Sequence, residues 1–352
     1  MTAHPITPPI FDGHNDLLLR IVTGSIRPED VHAGMDSGHI DLPRAKIGGL
    51  AGGFFAIFVP SPLAPGDMEQ MADPSYDLAL PPMLDQPGAL DVVLRGAEAL
   101  ETLAAQGTVT ICRSVPELER AIHGPSMAAI MHIEGAEAID RDLELLGELY
   151  TRGLRSVGPV WSRPTIWAHG VPFRFPGTPD TGPGLTEDGK RLIAECNRLG
   201  IMVDLSHLNE AGFNDVAAIS DAPLVATHSN AWEVTKHARN LTDRQLHMIA
   251  DSDGMVGINF ASAFLREDGR MGADMTLEPM MRHLDHLVGI LGEDRVGFGS
   301  DFDGAVVPEG IGDVAGLGAL RSAMADHGIG TEMMEKLCWR NWMRVLDKTW
   351  KP

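Results

Sequence analysis

A chain of 352 residues with 44% hydrophobic and 22% charged content is long enough to bury a large core, which excludes disorder and fits one large α/β barrel or two smaller domains. A formal net charge of −21 leaves no extended basic face, so nucleic acid and anionic membranes are excluded as partners and a small molecule is expected. Cys112, Cys196 and Cys338 are odd in number, far apart and without a C-x-x-C pair, which suits a reducing cytoplasm and speaks against a cysteine-ligated metal.

Apolar runs alternate with amphipathic segments along the chain, the pattern of repeated βα units that close a parallel sheet. About eight runs read as strands, the number that closes a barrel. They are Ile10 to Leu19, Gly52 to Val59, Ala128 to Glu134, Leu154 to Trp161, Ile201 to His207, Leu224 to His228, Met255 to Phe260 and Val296 to Asp301. Helices are expected between them. Asp142 to Arg152 stops at Gly153, and Leu185 to Leu199 opens with Thr186 as N-cap and ends at Gly200. Thr242 with Gln245 three residues on reads as a capping box. Glu278 to Leu291 and Thr331 to Leu346 carry apolar residues at helical spacing. Two proline-rich segments break the rhythm, Pro60 to Gly88 and Gly170 to Gly184; both are expected to form loops over the barrel mouth. With no linker-like stretch, the expected organisation is a single catalytic domain over residues 1–352, a (β/α)8 TIM barrel of the metal-dependent hydrolase type. MTAHPITPPIFDGH has neither a positive n-region nor an apolar h-region, and DKTWKP has no hydrophobic tail, so no membrane span or anchor is expected.

Five runs end in a metal-type ligand where apolar residues give way to turn residues. These are His14 and Asp16 in IFDGHND, Glu134 in AAIMHIEGAE, His207 in IMVDLSH, His228 in PLVATHS and Asp301 in RVGFGSDFDG. Strands fix ligands rigidly while the loops beyond them admit substrate. Each position has a bland alternative: a core histidine bonded to a neighbouring carboxylate, or a structural aspartate in the acidic turn DFDG. Joint occurrence at several strand ends is not something core packing asks for, so the chain reads as a metal-dependent hydrolase. His14 and Asp16, two apart, would share one face of a strand, and His132 would share the face of Glu134.

As a set, FDGHND, IEGAEAID, VDLSHL, THSNA with RNLTD downstream, GFGSDFDG and VPEGIGDV resemble the membrane (renal) dipeptidase family of zinc peptidases, within the amidohydrolase-like barrels, over nearly the whole length. The resemblance implies two Zn2+ per chain, one on His14 and Asp16, the other on His207 and His228, with Glu134 bridging. It further implies that Asp301 transfers protons and that Arg239 grips the C-terminal carboxylate of a dipeptide, a D-residue at that end included. The mammalian relatives are membrane-anchored, and the lack of signal and tail here resembles the soluble bacterial branch. After the fourth strand many relatives carry an oxyanion-stabilising histidine; the corresponding position in GPVWSRP is Trp161, and His169 in the same loop is the nearest replacement.

The chemistry has its own argument. Two cations held close together lower the pKa of a shared water and polarise the scissile carbonyl, so that a metal-bridging hydroxide attacks it. Asp301 would take up the proton and return it to the leaving amine. The planar fork of Arg239 suits bidentate capture of a free carboxylate, which would make the enzyme a dipeptidase rather than an endopeptidase. Barrel and metals alone do not fix the bond cleaved, so a deaminase or lactonase is the alternative, and a non-catalytic, metal-stabilised binding barrel a third. The oligomeric state is left open, a homodimer included.

Overall fold

The computed structural model describes residues 7–61, 66 and 68–351. Eight parallel strands make the central sheet: β1 (Ile10–Asn15), β2 (Leu50–Phe58), β3 (Met127–Glu134), β4 (Leu154–Gly158), β5 (Met202–Val203), β6 (Val225–Ala226), β7 (Met255–Asn259) and β8 (Val296–Gly299). Their order is β5-β4-β3-β2-β1-β8-β7-β6, and a bridge between Asp204 and Val225 joins the two ends into a nearly closed barrel. A short strand, Val109–Ile111, adds to the start of β3 outside that order. The expected barrel class is therefore what the chain builds.

Alternation along the strands sorts the side chains. On β3, Ala128 and Ile130 join the interior cluster with Phe11, Phe54, Met202, Val225 and Met255, whereas Met127, Ala129, Met131 and Ile133 pack outward in the core beneath the helices. Farther along the inward face come His132 and then Glu134, so the barrel is apolar at the N-terminal ends of its strands and polar at the C-terminal ends. The apolar end is stoppered by Trp342 from the C-terminal helix, whose indole donates to the Phe298 carbonyl at 3.3 Å. Glycines make room for it. A Cβ on Gly13 would lie 2.5 Å from the Trp342 ring, and one on Gly297 2.9 Å from its nitrogen.

Helix boundaries follow the local chemistry. The Thr186 hydroxyl accepts from the Gly189 amide to open Glu187–Leu199, and Gly200 closes it in the left-handed region at φ 71°. Thr242 and Gln245 form the reciprocal capping box before Asp243–Asp251. The first strand is shorter than expected. It ends at Asn15, and Leu17–Val22 is a helix with Asp16 at its N-cap; the apolar run through Leu17, Leu18 and Leu19 serves either period, and the helix prevails. The C-terminal helix spans Thr331–Thr349 with a π-helical turn at Lys336–Arg340 in its middle. Of the Pro60 to Gly88 segment, residues 62–65 and 67 lie outside the described residues. The rest of it contributes Tyr76–Asp77, which pairs antiparallel with Arg174–Phe175 of the second proline-rich segment, so the two loops are tied together.

Candidate metal centre

Three imidazole nitrogens converge on one carboxylate oxygen. Glu134 Oε1 lies 3.0 Å from His207 Nε2, 3.4 Å from His228 Nε2 and 3.7 Å from His14 Nε2. Asp16 Oδ2 is 3.4 Å from His14 Nε2, and His207 Nε2 is 3.1 Å from His228 Nε2. Tetrahedral ligands at zinc bond lengths stand about 3.3 Å apart, so these separations are those of a ligand shell. Three clusters of ligand atoms emerge among the described residues: Glu134 with His207 and His228, His14 with Asp16 and Asp301, and His14 with Asp204 and His228.

The protonation pattern fits cations. Thr227 donates its hydroxyl to Asp204 at 2.6 Å, so toward His228 Nδ1 at 2.8 Å it acts as acceptor; His228 then carries its proton on Nδ1 and turns a lone pair inward at Nε2. Burial, with Arg239 and the other imidazoles nearby, pushes His207 and His228 well below the ordinary histidine range, which keeps both neutral as ligands must be. His14 goes the other way. Burial disfavours its imidazolium, yet Glu134 and Asp16 outweigh that and raise it to about 10, and neither ring nitrogen has a hydrogen-bond partner among the described residues. Without an ion, the proton on His14 is the positive charge these buried carboxylates draw in; divalent ions would supply that charge instead and leave His14 free to act as a neutral ligand.

Backbone conformation contributes to the placement. His207 at φ 69° and Asp301 at φ 59° are non-glycine residues in the left-handed region, a conformation that concentrates at functional sites. Asp16 reaches the site from a helix N-cap, with a register irregularity between Asp12 and Asn15; the expected shared strand face is replaced by a turn. Asp301 Oδ2 accepts from Asn259 Nδ2 at 2.8 Å, and burial raises its carboxyl above the ordinary range. Gly304 lets the two carboxylates approach, since a Cβ there would lie 2.1 Å from Asp16 Oδ2 and 2.6 Å from Asp301 Oδ1.

Above the cluster opens a cavity of about 610 Å³ lined at its base by Asp16, Glu134, His207 and Asp301 and on its walls by Phe58, Met71, Trp161, Phe173, Phe264 and Met271. Arg239 is buried and not among the cavity's lining residues; it packs on the wall residue Phe264, its guanidinium carbon 5.4 Å from that ring centroid. It donates to the His228 carbonyl at 3.1 Å and to Ser229 Oγ at 3.4 Å, and its Nε has no hydrogen-bond partner among the described residues. Burial pulls it down to about 10, against the opposing pull of Asp301 and Glu134, so it stays cationic.

His169 is likewise not among the residues lining this cavity. Its segment pairs with the chain leaving β5, through the Gly170–Leu208 bridge and the Asn209 amide, which donates to the His169 carbonyl at 3.2 Å. Trp161, by contrast, is on the wall, with its ring 5.9 Å from that of His207. We expect His169→Asn to change turnover by no more than about 0.5 kcal/mol, roughly twofold, as for a substitution outside the site. A loss of a hundredfold in steady-state kcat would restore it to the chemistry.

Four supporting residues escape sequence reasoning. Asp12 is buried and accepts from the Ser300 amide and hydroxyl at 2.6 and 2.8 Å, clamping β1 to β8; burial, against those donors, pushes it up to about 7. Asp204 orients His228 through Thr227, and Asn259 orients Asp301. His237 accepts the Arg239 amide at Nδ1 at 3.0 Å and shapes the loop that carries the guanidinium. The sequence held a signal only for Asp12, whose D-x-H mirrors the H-x-D beside it. The three cysteines are buried, and burial pushes their thiols up to about 12. Among the described residues no helix is long and apolar enough to cross a membrane.

Comparison with known proteins adds independent findings. A model of the membrane dipeptidase family, peptidase family M19, matches residues 5–351. A metallo peptidase from Rhodobacter sphaeroides, crystallised with a phosphinate mimic of the dipeptide L-Ala-D-Ala, is 57% identical with a TM-score of 0.95 over 98% of this chain and all of its own. The structure of a dipeptidase AC, also a metallo peptidase of family M19, matches equally, with 57% identity, a TM-score of 0.95 and 98% and 99% of the two chains covered. A Klebsiella pneumoniae protein known by its place in the pqqA 5' region is 44% identical over 264 residues, 74% of this chain and 97% of that one.

Proposed function

The chain belongs to the membrane dipeptidase family and is a metal-dependent dipeptidase; from that premise we propose that it hydrolyses dipeptides with a free C-terminal carboxylate, a D-residue at that end included, at a centre holding two zinc ions. The observation that carries the reading is the convergence of His14, His207 and His228 on Glu134 Oε1, with Arg239 a few side chains away. His14 and Asp16 would hold one ion, His207 and His228 the other, and Glu134 both. The donor set of imidazoles and carboxylates suits zinc, and the bound ions would supply an acidified water and a polarised carbonyl.

The chain's own groups do the rest. Arg239 binds the substrate carboxylate with its Nε and a terminal nitrogen, which fixes the scissile carbonyl over the cluster. Asn259 holds one oxygen of Asp301, leaving Oδ1 to accept a proton and pass it to the departing amine. The apolar walls of Phe58, Phe173 and Phe264 exclude bulk water from that transfer. The D-residue reading is supported by the Rhodobacter relative, which was crystallised with a phosphinate mimic of the dipeptide L-Ala-D-Ala.

The test is a dipeptide library with both C-terminal stereoisomers and the matching C-terminal amides, assayed on protein of measured zinc content. Free acids should be cleaved and amides spared. Equal cleavage of both would remove the carboxylate from recognition and favour a broader amidohydrolase, the deaminase and lactonase class included. Arg239→Ala is expected to cost about 1.5 to 3 kcal/mol in kcat/KM, the value of a charged hydrogen bond, and to bring acids and amides toward parity. Unchanged discrimination in that variant would place the carboxylate elsewhere.

A further inference from the structure

Two cavities meet at one pair of side chains. Trp161 and Phe173 line the cavity over the ligand cluster and also a second cavity of about 280 Å³ on their far side, whose other walls include Leu78, Leu80 and Pro172. The two rings pack edge to face with centroids 5.4 Å apart, and Phe58 braces the indole at 5.1 Å. Arg163 braces it further, 5.6 Å from the ring, and is itself immobilised: fully buried, it donates to Glu137 at 2.6 Å and to the Val59 carbonyl at 2.7 Å. A ring held on three sides is a fixed wall.

Position around the barrel says which part of a substrate meets that wall. Arg239 follows β6 and packs on Phe264, which follows β7. Trp161 follows β4 and packs on Phe58 at the end of β2. The two sectors adjoin where Phe173 stacks on Phe264 with ring centroids 6.1 Å apart, so a dipeptide with its carboxylate near Arg239 has its other residue within reach of Trp161. We propose that Trp161, backed by Phe173, is the specificity-determining partition for the amino-terminal side chain: a small side chain packs on the indole, and a large one is denied the second cavity behind it. The proposal rests on the dipeptidase reading of the metal-centre cavity.

The test compares kcat/KM for Trp-Ala and Ala-Ala in wild type, Trp161→Ala, Phe173→Ala and Trp161→Phe, each at matched zinc content. Truncating Trp161 should raise the Trp-Ala to Ala-Ala ratio on the order of 10- to 100-fold, the scale on which pocket size discriminates apolar side chains. Phe173→Ala should move the ratio the same way and carries the test if the first variant fails to fold. Trp161→Phe, which keeps an aromatic wall, should leave the ratio within about threefold. A parallel fall for both substrates, or an unchanged ratio in both truncations, overturns the partition. A shift seen with Ala-Trp and not with Trp-Ala overturns its assignment to the amino-terminal residue. Wild-type protein inert toward every dipeptide would instead remove the reading on which the proposal stands.

Discussion

Asp301→Asn is expected to keep the metal ions and lower kcat by on the order of 10² to 10⁴, the range for a lost general acid or base. The substitution preserves shape, and the asparagine can still turn its carbonyl oxygen to the Asn259 amide that now donates to Asp301 Oδ2 at 2.8 Å. What disappears is a titratable oxygen beside Gly304, at the one place where the backbone lets Asp16 and Asp301 crowd together. Asp301 also belongs to the cluster formed by His14 and Asp16, so zinc must be counted alongside turnover. Turnover lost together with one ion would make Asp301 a ligand; turnover near wild type with zinc retained would end its role in proton transfer.

The second large effect is on zinc itself. Glu134→Ala should lose both ions on dialysis, where the wild type is expected to keep about two per chain, because the deleted oxygen is the point shared by all three imidazoles. Turnover should fall with them by orders of magnitude. Metal analysis of the dialysed variant decides the matter. One ion held stoichiometrically by the variant, or a wild type fully active with a single ion, would confine Glu134 to one site.

How far the site could be read from the amino acids depends on what each residue does there. Candidate ligands such as His207 and His228 interrupt buried apolar runs with groups that a core does not request, so their chemistry is visible in one dimension. Asp204 and Asn259 act through a neighbour, Thr227 in one case and Asp301 in the other, and hydrogen bonds spanning 23 and 42 residues leave no local trace. His169 shows the converse, since nearness along a loop does not place a residue among those lining the cavity. The strand pattern of the barrel was plain because both faces are buried and the runs are apolar throughout. The Leu17–Leu19 run was ambiguous for the same reason, because without a polar face its period is undefined.

The stopper formed by Trp342 bears on how the protein comes off the ribosome. β1 is hydrogen-bonded to β8 as well as to β2, and the space beside Gly13 that would otherwise be a void is filled by a side chain near the far end of the chain. Emerging βα units can pair in succession, but the first strand must wait for a partner synthesised about 280 residues later, a closure of high contact order. Until the helix that carries Trp342 has been synthesised, the lower barrel has no plug. We expect metal binding to depend on that helix: a nascent chain stalled before residue 342 should bind zinc more weakly than the released protein.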